Sequence, residues 1–110
     1  MSVTTGRPFD EDVLINQLGI NNVYAISGGR VYVSKNQDGE TVGIELPCGA
    51  GYRVSIELGW DDTYTVTRQF VRKGTIFNKG TIKGVYCDNI GEVAYKAACF
   101  RSYDFGKVVA

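Results

Sequence analysis

Histidine is absent from this chain of 110 residues, proline occurs twice and cysteine three times. The missing imidazole removes the side chain most used for proton transfer near neutral pH, and the commonest nitrogen ligand for zinc or copper. Cys48, Cys87 and Cys99 are odd in number and show no Cys-x-x-Cys spacing, so neither a disulfide framework nor a metal knuckle is expected. Reduced, mostly buried thiols are the expectation, with no metal and no cofactor. No apolar run approaches the roughly 18 residues of a membrane span. The opening Met-Ser-Val-Thr-Thr-Gly-Arg-Pro lacks the basic start and apolar stretch of a signal peptide, which points to the cytoplasm.

Net charge is also missing, with 12 basic against 12 acidic side chains, but the charges are sorted. Residues 1–62 carry four basic and nine acidic groups, whereas residues 63–87 carry Arg68, Arg72, Lys73, Lys79 and Lys83 and no acid. A basic segment in a neutral chain hints at a surface that meets an anionic partner.

Fourteen glycines, against the two prolines, point to tight turns and β structure within a single domain spanning 1–110. Residues 1–8 and about 103–110 read as loosely ordered tails. Asp10, Glu11 and Asp12 open a short helix at about 10–18, with Leu14, Ile15 and Leu18 on one side and Gly19 closing it. Six strand-like runs follow. Val23–Ser27 and Arg30–Lys35 flank Gly28-Gly29, a pair suited to a hairpin turn, and Asp38-Gly39 precedes Glu40–Leu46. Tyr52–Leu58 alternates cleanly, Gly59-Trp60-Asp61-Asp62 turns the chain into Thr63–Arg72, and Lys73-Gly74 turns it into Thr75–Val85. The period then changes: from Asn89 to about Arg101, Ile90, Val93, Ala94, Ala97, Ala98 and Phe100 fall on one helical arc, with Asn89 and Glu92 spaced as a capping box. The expected architecture is α+β, an antiparallel meander of five or six strands with a short N-terminal helix and a longer C-terminal helix on one face.

Three stretches carry a resemblance: Asn-Asn-Val-Tyr-Ala-Ile-Ser-Gly-Gly-Arg (21–30), Asp-Thr-Tyr-Thr-Val-Thr-Arg (62–68) and Gly-Val-Tyr-Cys-Asp-Asn-Ile-Gly-Glu-Val-Ala-Tyr-Lys-Ala-Ala-Cys-Phe-Arg-Ser (84–102). Over about residues 20–106 the chain resembles small proteins of unassigned function encoded by bacteriophages of mycobacteria and related actinobacteria. The resemblance implies a phage protein acting in the host cytosol, where modulation of host machinery or counter-defence is the expectation of the class. It carries no catalytic residue across.

The register of the hairpin 63–85 decides what the basic segment can do, because a slip of one residue moves every side chain to the other face. A two-residue Lys73-Gly74 loop pairs Arg72 with Thr75, Phe70 with Phe77 and Arg68 with Lys79. It would gather Tyr64, Arg68, Phe70, Arg72, Phe77, Lys79 and Lys83 on one face, a pattern of single-strand nucleic-acid binders. It also sets Arg68 against Lys79, a like-charge pair. A type I turn over Arg72 and Lys73 with Gly74 as a bulge instead pairs Phe70 with Ile76, Val66 with Gly80 and Tyr64 with Ile82. That register buries a cleaner apolar face, which favours it, and it splits the basic residues between the two faces.

The remaining chemistry is sparse. Asp61 and Asp62 read as turn formers, and Cys87 before the last helix lacks a general base. The glycines at 49 and 51 form no phosphate loop, since no Gly-Lys-Ser/Thr follows. The leading expectation is therefore a non-catalytic protein that binds a host protein, with Trp60, Arg53, Lys79 and Lys83 as contacts. Nucleic-acid or nucleotide binding through Arg68, Arg72, Lys73, Phe77, Lys79 and Lys83 is the alternative. Open sheet edges also leave room for a homodimer.

Overall fold

The computed structural model describes residues 8–49, 51–59 and 62–98; the expected tail at 1–8 except Pro8, the expected tail at 103–110, the end of the C-terminal helix near Arg101, and Trp60, Asp61, Cys99 and Phe100 lie outside them. Helix α1 spans Glu11–Leu18, and Asp10 caps it by accepting the Asp12 N–H at Oδ1 (2.9 Å). Leu14 and Leu18, four apart, are buried against the sheet side. Gly19, with φ 87°, ends α1 by donating its N–H to Ile15 O and starts α2 by accepting from Val23 N–H.

The second element corrects the expected strand at 23–27. It is helix α2, Ile20–Ser27, closed by Gly28 in the left-handed region, whose N–H donates to Tyr24 O (2.9 Å). The Gly28-Gly29 pair is thus a helix cap and not a hairpin turn. Both uses need positive φ, and the short apolar run Val23–Ile26 fits either period. What decides is burial: Val23, Ile26 and Ser27 face inward at helical spacing. The Ser27 hydroxyl then donates to Arg30 O (2.6 Å), which delays the first strand to Tyr32.

Five strands follow, β1 (Tyr32–Lys35), β2 (Thr41–Gly49), β3 (Tyr52–Leu58), β4 (Tyr64–Arg72) and β5 (Thr75–Val85). They pair in chain order as an antiparallel meander. At the first turn Asn36 Oδ1 accepts the N–H groups of Asp38 and Glu40. Strand β2 continues past the expected end at Leu46, through Pro47. Pairing with β1 stops at Glu45, so Pro47 lies on an open edge where its missing N–H costs no ladder bond.

One face of the sheet carries the core. Ile44, Ile56, Val66 and Ile82 align across four strands, with Leu46 beside Val54, and with Leu58, Tyr64 and Val85 forming a further row. Helices α1, α2 and α3 (Ile90–Ala98) cover this face, α3 through Ile90, Ala94 and Ala97. The Tyr64 hydroxyl donates to Gln17 Oε1 on α1, and its ring meets Phe9 edge-on. On the outer side of α3, Glu92 and Lys96 form an ion pair (3.2 Å).

The hairpin β4–β5 corrects the favoured register. Arg72 pairs with Thr75, Val71 with Ile76 and Phe70 with Phe77, around a two-residue loop in which Lys73 (φ 52°) and Gly74 (φ 79°) are both left-handed. That is a type I′ turn, whose twist matches the strands. None of the pairs of the favoured register forms, yet Ile82 still reaches the core face, because β5 slips twice: Thr67 pairs with Thr81 and Val66 with Ile82, then Tyr64 with Val85. The slips fall at Lys79-Gly80 and Lys83-Gly84, with Gly80 at φ 145° and Gly84 at φ 71°. The three Lys-Gly pairs of the strand are therefore the turn and two bulges. Bulged lysines along β5 also blunt an outer edge that would otherwise invite a further strand.

Lysine at a left-handed position carries a backbone cost that asparagine largely escapes. Lys73→Asn is accordingly expected to raise stability by up to about 1 kcal/mol, seen as a higher denaturation midpoint with an unchanged denaturant slope.

Candidate functional site

At the end of the sheet beside the β4–β5 turn, on the same face as the core, Tyr52, Phe70 and Phe77 stand in register on three adjacent strands. Their ring centroids are 4.9 Å and 6.3 Å apart, with tilts of 49° and 33°, so the rings make one row across the sheet. Phe77 at the outer end is 45% exposed. Gly51 runs close to the row: a Cβ there would lie 2.9 Å from the Phe70 ring, and Gly51 O accepts the Val71 N–H. The close approach that this glycine permits is to the chain's own aromatic ring.

Cations surround this row. Lys79 Nζ lies 5.9 Å from the Phe77 centroid, within cation–π range. Arg72 and Lys73 are exposed at the adjacent turn. Arg68, only 9% exposed, lies between Val66 and Phe70, and its Nη2 donates to Lys79 O (3.4 Å). The expected clash of Arg68 with Lys79 does not arise. The bulge turns a carbonyl, not an ammonium, toward the guanidinium.

The sheet's two acids lie on the opposite, open face. Glu45 pairs there with Arg53 (Nη1 to Oε1, 3.3 Å), whose Nε donates to Gln69 Oε1 (2.8 Å). Thr67, Asn78 and Thr81 continue the polar face. Glu57 shares it, and burial, with the neighbouring Glu45 charge adding, raises its carboxyl above the usual range. A carboxyl held up in the folded state binds its proton more tightly there than when unfolded, so folding stability falls as pH rises through the folded value. Glu57→Gln is expected to raise the melting temperature at neutral pH relative to the parent, and the gain should vanish in acid, where both side chains are neutral. Thermal melts across pH check it.

The sequence candidates therefore separate. Arg68, Phe77 and Lys79 come together with Phe70, and Arg72 and Lys73 sit at the neighbouring turn. Tyr64 shares the face but is buried under α1. Arg53 is held on the open face, and Lys83 sits at the second bulge of β5, away from the row. Trp60 and Asp61 are outside the described residues, whereas Asp62 closes the β3–β4 turn by donating its N–H to Gly59 O. Tyr52 is the member that reading the hairpin alone misses. Cys48 is half-buried, with its Sγ donating to Leu46 O, and Cys87 is exposed. Among the described residues no three Cys, Asp or Glu side chains converge as for a metal ion, and no helix is long and apolar enough to cross a membrane.

No protein-family model, curated protein or solved structure matches the chain.

Proposed function

We propose that the protein is a non-catalytic binding module that takes single-stranded nucleic acid on the row Tyr52–Phe70–Phe77. The observation that carries this reading is the row itself: three rings in register, the outer one exposed, flanked by Lys79 and the Arg72-Lys73 turn, with both sheet acids on the far face. Aromatic faces stack bases of any sequence, and the flanking cations neutralise phosphates. Flat rings on a sheet suit splayed bases and offer little to a closed duplex, whose bases are stacked inside. The resemblance to phage proteins supports a setting inside a bacterial host.

The test is fluorescence anisotropy with a labelled oligothymidylate of roughly eight nucleotides, within the range of single-strand site sizes, against the matching duplex. Binding of the single strand that weakens steeply with salt, and weaker binding of the duplex, is expected. No binding at low salt would overturn it.

A second reading, a protein partner in the host, is favoured by one observation. Ile76, on the open side of the same hairpin tip, is 53% exposed, so the tip is apolar on both sides. Bases need one face, whereas a protein groove could engage both. On this reading Ile76→Ser abolishes capture of the partner, and on the nucleic-acid reading it leaves oligonucleotide affinity unchanged.

A further inference from the structure

We infer that Arg68 is the positioning residue of this surface, a clamp on the Lys79-Gly80 bulge that fixes the Lys79 side chain over the Phe77 ring. A bulge inserts a residue whose main-chain groups leave the ladder and can take other partners. Here both are supplied by side chains, one from each face of the sheet. Arg68 Nη2, from the core face, donates to Lys79 O (3.4 Å), and Asn78 Oδ1, from the open face, accepts the Gly80 N–H (2.8 Å). Asn78 is held in turn by Nδ2 donating to Thr81 Oγ1 (3.0 Å). The extra residue is thereby pinned at its carbonyl and at the next N–H, with the Lys79 ammonium lying over the Phe77 ring.

Arginine suits this place for a physical reason. Its planar fork carries five donors on a long stem, so it spans from its place between Val66 and Phe70 on β4 to the bulged carbonyl. A lysine would place a single compact, strongly hydrated ammonium under the row. Tyr52, Phe70 and Phe77 line the sheet beyond Arg68.

This inference rests on the nucleic-acid reading only for its affinity arm, and a structural arm stands without it. In wild-type protein, nuclear Overhauser contacts are expected between the Arg68 guanidinium protons and the Lys79–Gly80 main chain, and between Lys79 Hε and the Phe77 ring. In Arg68→Lys, with the remaining amide spectrum preserved, the Lys79–Phe77 contact should be lost. In the affinity arm, Lys79→Ala in the wild-type background lowers the log–log salt slope for oligothymidylate by about 0.7, the value for one single-strand phosphate contact. In the Arg68→Lys background the same change should lower it no further. A Lys79–Phe77 contact that survives Arg68→Lys would overturn the inference, as would equal slope changes in both backgrounds. If Arg68→Lys fails to fold, absence of the wild-type guanidinium contacts alone overturns it and their presence upholds it. Intact contacts with no oligonucleotide binding would uphold the clamp and reject the nucleic-acid function.

Discussion

Phe77→Ala should weaken binding of a single-stranded oligonucleotide roughly 5- to 150-fold, the equivalent of the ~1–3 kcal/mol that one base–aromatic stack contributes. The ring stands at the open end of the row with nearly half its surface in water, so the fold depends on it little. Its loss also removes the face over which Lys79 lies, leaving that ammonium less fixed. Melting temperature should therefore move by only a few degrees while affinity falls by at least about 5-fold. Phe70→Ala would be a poorer probe, because Phe70 packs between Tyr52 and Phe77 and its loss disturbs both neighbours. Unchanged affinity in Phe77→Ala, measured by anisotropy at the same salt, would remove the row from the binding surface.

Gly91→Ala is expected to be the most damaging single-methyl change outside the sheet. Gly91 sits in the first turn of α3 where that helix crosses the end of α1. A Cβ there would stand 2.6 Å from Leu18 O and 2.7 Å from Asn22 Nδ2. Those two atoms already bond each other, Asn22 Nδ2 donating to Leu18 O at 2.8 Å, at the junction of α1 with α2. The methyl would wedge between a backbone carbonyl and its partner, so relief needs a shift of a whole helix. Overpacking of this kind costs about 1–3 kcal/mol, and loss of the hydrogen bond about 1 more. A fall of about 10–20 °C in melting temperature follows for a domain of this size. Glu92→Ala, one residue along and solvent-facing, loses only an exposed ion pair and should shift the melt very little. Equal effects of the two changes would show that the close approach of α3 to α1 is wrong.

The ends of two strands were legible from residue order. Tyr52–Leu58, by its clean alternation, and Thr75–Val85, by the turn signals that bound it, have the predicted ends, and the α+β class with a C-terminal helix on one face follows from the change of period at Asn89. Helix α2 was not legible as a helix, because its five apolar residues suit both periods and Gly28-Gly29 serves hairpin and cap alike. The hairpin register escaped for a different reason. Turn chemistry and core burial demand different pairings, and choosing between them assumed one register along the whole strand. The chain meets both by bulging at two lysine–glycine pairs, and the repeated Lys-Gly at 73, 79 and 83 was the signal. In the site, Phe70, Phe77, Arg68 and Lys79 could be assembled from the hairpin alone once the turn was known. Tyr52 could not, since its place beside Phe70 depends on the β3–β4 register, set across the loop at 59–63.

The central claim is that the end of the sheet beside Gly74, on its core side, is where the protein binds. Its most direct test is a chemical-shift titration of isotope-labelled protein with oligothymidylate at low salt. The expected result is saturable shifts concentrated at Tyr52, Phe70, Phe77, Lys79 and the Arg72–Gly74 turn, with Tyr24 and Ile20 on the helical side unmoved. Shifts centred on α2 and α3, or none at saturating oligonucleotide, would contradict it.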